Sequence, residues 1–164
     1  MSSGSDLKTL FERKKELIDE YLRETLCKKK IPDILAQSIA YSLLDGGKRV
    51  RPALCVITAE SLGVEPSRVL PLAAAFEMVH TASLIHDDLP CMDNDDYRRG
   101  KLTNTKEYGG TMAIICGDSF PCLFFGNSFY VNPQKRVSLT PFLPGAGLLS
   151  NEIRPQCVCG GHKL

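Results

Sequence analysis

The run Pro71-Leu72-Ala73-Ala74-Ala75-Phe76-Glu77-Met78-Val79-His80-Thr81-Ala82-Ser83-Leu84-Ile85-His86-Asp87-Asp88 sets the architecture. It is rich in alanine and leucine and carries few charges. A helix this apolar is expected at the centre of a fold rather than on its surface. Pro90 stops it, since proline cannot continue the hydrogen-bond ladder.

Just beyond, the chain reads His86-Asp87-Asp88-Leu89-Pro90-Cys91-Met92-Asp93-Asn94-Asp95-Asp96-Tyr97-Arg98-Arg99-Gly100. Five aspartates in ten residues repel one another, and those at the helix end oppose the negative pole of its dipole. A bound cation resolves both conflicts. Mg²⁺ fits, as a hard ion that takes carboxylate oxygens, keeps waters and completes its shell with substrate phosphates. The turn forced by Pro90 is expected to bring Asp93 back beside Asp87. Arg98 and Arg99 follow at once, with guanidinium forks that match phosphate oxygens. The segment thus predicts a diphosphate clamp, against the plainer alternative of a solvated acidic loop. An EF-hand is excluded, because position six counted from Asp93 is Arg98 and not glycine. His80 lies about 20° from Asp87 on the helical wheel and roughly 10 Å down the axis, on the face that ends in the aspartates. The alternative for it is a core histidine bonded to a carbonyl.

Upstream, Leu7, Leu10, Phe11, Leu17, Ile18, Tyr21, Leu22 and Thr25 follow the spacing of one helix face, with Ser5 as a cap and Lys28 to Pro32 as its end. Ile34, Leu35, Ser38, Ile39 and Ser42 mark a second helix, closed by Gly46-Gly47. A third is expected from about Pro52 to Leu62, before Gly63. Between these two, Asp45-Gly46-Gly47-Lys48-Arg49-Val50-Arg51-Pro52 sets two glycines and three cations ahead of a helix N-terminus. Such a segment suits phosphate, though a basic turn would look the same. The spacing is not that of a Walker loop. No window shows sustained period-2 alternation, so the fold class is all-α.

Composition breaks near Asp118. Residues 1–118 hold 18 of the 19 acids, while 119–164 hold Glu152 alone, with five of the ten prolines and five of the seven phenylalanines. The expectation is a helical part, 1–118, and a largely irregular tail, 119–164. Net charge of +1 speaks against a nucleic-acid binder. No apolar run approaches the 18 or more residues of a membrane span, and no secretory signal is visible, which speaks against integral membrane association. The seven cysteines are odd in number and irregularly spaced, which favours reduced thiols and a cytoplasmic setting. Cys157, Cys159 and His162, with Cys122 as a fourth ligand, are a weak zinc set without a CxxC pair.

From about residue 30 to Asp118 the chain resembles the trans-isoprenyl diphosphate synthases, the polyprenyl synthetase family that includes farnesyl and geranylgeranyl diphosphate synthases. The resemblance is carried by Gly46-Gly47-Lys48-Arg49-Val50-Arg51-Pro52, by Met78-Val79-His80-Thr81-Ala82-Ser83-Leu84-Ile85-His86, and by Asp87, Asp88 and Asp93 as a first aspartate-rich motif. Gly117-Asp118 is similar to the family's next landmark. The resemblance implies the N-terminal part of an isoprenoid-synthase helical bundle. It implies Asp87, Asp88 and Asp93 as the catalytic, Mg²⁺-binding residues, and an allylic diphosphate held by Arg98. Lys48, Arg51, His80 and Arg99 would hold the diphosphate of isopentenyl diphosphate. Ala82 and Ser83 would line the floor of the chain-length pocket, where small side chains lean toward geranylgeranyl products. The implied reaction is ionisation of the allylic C–O bond, attack by the isopentenyl double bond and loss of a proton.

Two departures accompany the resemblance. The family's second aspartate-rich motif and its further lysines have no counterpart after Asp118, as an altered reading frame would produce. Thr105 also stands where the family places a histidine. The expectations are therefore a synthase whose turnover as this chain is doubtful, acting as a homodimer or as a heterodimer with a full-length synthase. The alternative is a non-catalytic partner that binds a full-length synthase through its retained helices.

Overall fold

The structure is a computed structural model that describes residues 3–129, with side chains described over 6–123. In chain order it runs α1 (Ser3–Cys27), α2 (Asp33–Leu43), α3 (Val50–Ser61), α4 (Pro66–Asp87), β1 (Tyr97–Arg98), β2 (Lys101–Leu102), α5 (Asn104–Tyr108) and α6 (Gly110–Phe129). The all-α expectation holds, with one two-stranded hairpin as the exception among the described residues.

Helix α4 is central. It packs against α6 and α3 most extensively, and against α1 and α2 as well. Ala73, Ala74, Ala75, Met78, Ala82 and Ile85 of α4 are all buried. The alanines let neighbouring helices approach on several sides at once. Around them gather Ile18 and Leu22 of α1, Ile39 and Leu43 of α2, Val56 of α3, and Cys116 and Phe120 of α6. By length and composition alone α4 would also pass for a membrane span, contrary to the expectation that no such run exists, but more than half of its apolar window is buried in this core.

Four local expectations are corrected. The fourth helix begins at Pro66, not Pro71; Pro71 is tolerated inside it, where Leu70 is already committed to the core. Ser5 lies within α1 rather than capping it. Leu7 keeps the phase of its face yet is 57% exposed, and burial along that face becomes complete only at Ile18. Helix α6 continues past Asp118 to Phe129 through Pro121, because Phe120 and Leu123 are buried in the core. Residues 130–164, with Cys157, Cys159 and His162, lie outside the described residues.

Candidate functional site

The acidic segment folds as a tight turn at the end of α4. Leu89 accepts hydrogen bonds at its carbonyl from the amides of Met92 (2.9 Å) and Asn94 (3.1 Å), and the Asp93 amide donates to the Asp87 carbonyl at 2.8 Å. Asn94, at φ 55°, supplies the left-handed step that closes the loop. Asp93 is thereby returned to Asp87, as the proline turn predicts. Asp87 is half-buried and Asp93 exposed.

Asp88 faces elsewhere. It caps α4 and is only 3% exposed. Its carboxylate accepts from Arg98 Nε at 2.9 Å to both oxygens and from Nη2 at 2.6 Å. Arg98 belongs to β1 and also stands 3.8 Å from Asp95. The next two residues, Arg99 and Gly100, have φ of 53° and 81°, the pattern of a type I′ hairpin turn.

This turn throws Arg99 the other way. Its Nη1 donates to the Gly46 carbonyl at 3.1 Å. Gly47 suits this place through its backbone, which holds φ 105°, and the Arg99 guanidinium lies close over it. Two further contacts pin the hairpin to the end of α2: Lys101 bonds to Asp45, and the Tyr41 hydroxyl donates to the Leu102 carbonyl at 2.7 Å. Sequence reasoning did not single out Tyr41 or Lys101 and gave Asp45 no role beyond opening the Asp45–Pro52 segment, because these contacts join separate segments.

Lys48, Arg51, His80 and Arg99 line one cleft of about 630 Å³, together with Asp45, Gly47, Arg49 and Glu77. The residues assigned to isopentenyl diphosphate thus converge, although they come from α3, α4, a loop and a hairpin turn. Desolvation, then the nearby Arg51, pushes the His80 imidazole below its ordinary pKa, with Arg99 and Arg98 acting in the same sense and Glu77 against. The cleft favours a neutral imidazole. Of the three cations in the segment, Arg49 is not offered to the cleft as a free charge: its side chain is buried and bonded to Asp19, Glu77 and the Leu43 carbonyl. Glu77 was legible as a signal, being a carboxylate within an apolar helix and so in need of an inward partner.

Helices α4 and α6 cross at His86 and Gly117. A Cβ at 117 would run into the His86 ring, so glycine there is a packing requirement, and His86 Nε2 lies 3.6 Å from Asp118. Asn104 accepts from Ser38 Oγ (3.0 Å) and donates to the Ser38 carbonyl (3.0 Å) and Ser42 Oγ (2.8 Å), fastening α5 to α2. The adjacent Thr105 hydroxyl is buried with no hydrogen-bond partner. Ala82 is buried, whereas Ser83 is exposed and bonded to the His80 carbonyl. Small residues at 82 and 83 therefore point to different surroundings.

No three potential ligands close on a single point among the described residues. Asp87 and Asp93 offer hard oxygen donors from two sides of one turn. That donor chemistry suits Mg²⁺, which commonly takes one or two carboxylates and fills its shell with water and phosphate.

Comparison with known proteins agrees with the helical fold. Residues 32–132 match the family described as polyprenyl synthetase. The large subunit 1 of a heterodimeric geranylgeranyl pyrophosphate synthase from Arabidopsis thaliana is 40% identical over 98% of this chain and 43% of its own length. A dimethylallyltranstransferase from Fischerella ambigua is 45% identical over 80% of this chain and 37% of its own. Among solved structures, an FPP/GFPP synthase from Zymomonas mobilis superposes with a TM-score of 0.73 at 37% identity, over 87% of this chain and 53% of that one. A geranyltranstransferase from Thermotoga maritima gives 0.67 at 43% identity, over 71% and 44%. The chain spans less than half the length of these curated relatives. With the family match running over residues 32–132 and the helical frame superposing on a solved synthase, the chain belongs to the polyprenyl synthetase family.

Proposed function

We propose that this chain carries one metal-binding wall and the isopentenyl diphosphate cleft of a prenyltransferase site for Mg²⁺-dependent head-to-tail condensation of isopentenyl diphosphate with an allylic diphosphate. The observation that supports it is the hairpin turn, where Arg98 reaches into the acidic loop and its neighbour Arg99 into the basic cleft. One backbone step thus sets two diphosphate-binding regions side by side. Asp87 and Asp93 would hold the metal, which when bound neutralises the departing pyrophosphate. Asp88 holds Arg98 in place and leaves the rest of that guanidinium to the allylic diphosphate. Lys48, Arg51, His80 and Arg99 bind and orient the second diphosphate. Ala82 and Ser83 bear on product length, with the lean toward geranylgeranyl. The thiols favour a reducing compartment, cytoplasmic by the sequence expectation; the plant relatives are named chloroplastic.

Calorimetry with inorganic diphosphate and Mg²⁺ tests the metal wall. Binding should depend on Mg²⁺ and be lost in Asp87→Ala/Asp93→Ala. If that double variant binds as the parent does, the loop is merely acidic. Turnover is a separate matter. The family clamps pyrophosphate from two aspartate-rich motifs, and the sequence supplies one. Losing one preorganised donor costs about 3–4 kcal/mol, or about a hundred- to a thousandfold in rate. Radiolabelled elongation by this chain should fall at least that far below a complete synthase; comparable rates would overturn this account.

A second reading, a non-catalytic partner of a full-length synthase, is supported by Ile114 and Ile115. Both are 46% exposed on α6, and Ile115 borders an apolar cavity of about 380 Å³ with Ile31, Leu35 and Leu123. Gel filtration with and without a full-length synthase separates the two: co-elution supports the partner reading, and independent elution removes it.

A further inference from the structure

Arg49 is the one cation of the Gly46–Arg51 segment for which the proposed diphosphate site has no direct use. It is also the largest fully buried side chain among the described residues, at 2% exposure. Its backbone takes a left-handed conformation, φ 48° and ψ 33°, immediately before the first turn of α3. Non-glycine residues avoid that conformation, and burial of a guanidinium is costly unless every donor direction is met. Both unfavourable features occur at one residue, so the contacts that hold it there are specific.

Those contacts reach three helices. Arg49 Nε donates to Asp19 Oδ1 on α1 at 2.8 Å, Nη1 to Glu77 Oε1 on α4 at 2.5 Å, and Nη2 to the carbonyl of Leu43, the last residue of α2, at 2.6 Å. A planar fork can satisfy three fixed acceptors at once, whereas an ammonium is a single point of charge. On either side of it in sequence, Lys48 and Arg51 are exposed and line the cleft. Glu77 lines the same cleft and is only 3% exposed. An unpaired carboxylate there would repel the anion the cleft is proposed to hold.

We infer that Arg49 is a positioning residue of the diphosphate cleft: its buried fork fixes the loop so that Lys48 and Arg51 stand on the cleft side, and it cancels the charge of Glu77. The inference rests on the diphosphate reading of that cleft. Arg49 touches no ligand itself and acts through Lys48 and Arg51.

The test is calorimetric titration of the full chain with inorganic diphosphate, paired with thermal unfolding. Arg49→Lys keeps a positive charge beside Glu77 and loses the fork. It should weaken binding by about tenfold or more, because displaced binding groups lose most of their advantage. Leu22→Ala, a core truncation on α1, should lower the unfolding temperature and leave affinity unchanged, separating positioning from general loosening. Asp19→Asn releases the fork from outside the cleft and should weaken binding by a smaller factor; it decides the matter where Arg49→Lys does not fold. The pair Lys48→Ala and Arg49→Lys should together cost less than the product of their separate effects, as for groups acting through one another. A folded Arg49→Lys that binds like the parent, or effects that simply multiply, overturns the inference alone. Parent chain that fails to bind diphosphate, or binding untouched by Lys48→Ala, overturns the cleft reading and this inference with it.

Discussion

Arg98 and Arg49 meet carboxylates with the same chemistry and put it to opposite uses. Arg98 is paired with a buried Asp88 while its own side chain stays 31% exposed, so the pair aims a cation outward beside the acidic loop. Arg49 has no exposed side-chain surface, and its partners Asp19 and Glu77 are at 14% and 3%. In the first pair the carboxylate serves the arginine; in the second the arginine serves the loop around it. A count of basic residues near a glycine pair cannot tell these apart. What tells them apart is which backbone positions place a side chain toward the core, and at Arg49 that is settled by a left-handed residue at the start of α3.

The sharpest way to break this contrast is to remove each guanidinium in turn. Arg49→Met strands two carboxylates and a carbonyl in the interior, and breaking a buried pair costs about 3–5 kcal/mol. Urea unfolding should show that loss against the parent chain. Arg98→Met leaves Asp88 buried without its donors, at a cost of about 1–3 kcal/mol. Adding Asp88→Asn to Arg98→Met should recover part of it, since removing both charges leaves no unpaired one. Equal losses in the two single variants would erase the distinction between an inward and an outward arginine.

The legible and illegible parts of the molecule divide along the same line. Helix α4, the stop at Pro90 and the return of Asp93 to Asp87 were all readable, because each depends on neighbours within a few residues. The face of α2 around Ser38 and Ile39 was readable for the same reason. The inward turn of Arg49 was not, because its partners lie 30 residues before it on α1 and 28 after it on α4. The resemblance put Asp88 among the metal ligands, whereas its carboxylate is taken by Arg98, an attachment that depends on how the hairpin folds back. The continuation of α6 to Phe129 was missed because Pro121 and a change of composition look like an end. Burial of Phe120 and Leu123 overrides both.

The smallest effect expected is at His80, and it probes whether the exposed arginines form one cleft. Burial, Arg51, Arg99 and Arg98 all lower its pKa, against Glu77 alone. Between that lowered value and the ordinary one of about 6.5, the unfolded chain binds more protons than the folded chain. His80 therefore contributes stability that is fully present above pH about 6.5 and is lost as pH falls through that window. A diphosphate in the cleft reverses the balance, because its charge offsets the arginines and favours the imidazolium. Binding near pH 6 should then draw protons onto His80, seen as a difference between the parent and His80→Gln in how the calorimetric heat depends on the ionisation enthalpy of the buffer, the titration of the diphosphate being common to both. His80→Gln should reduce that uptake while changing affinity by less than about tenfold, the equivalent of one pKa unit. Unchanged uptake in His80→Gln would mean that the anion is held away from α4, and that Lys48 and Arg51 bind it without the histidine.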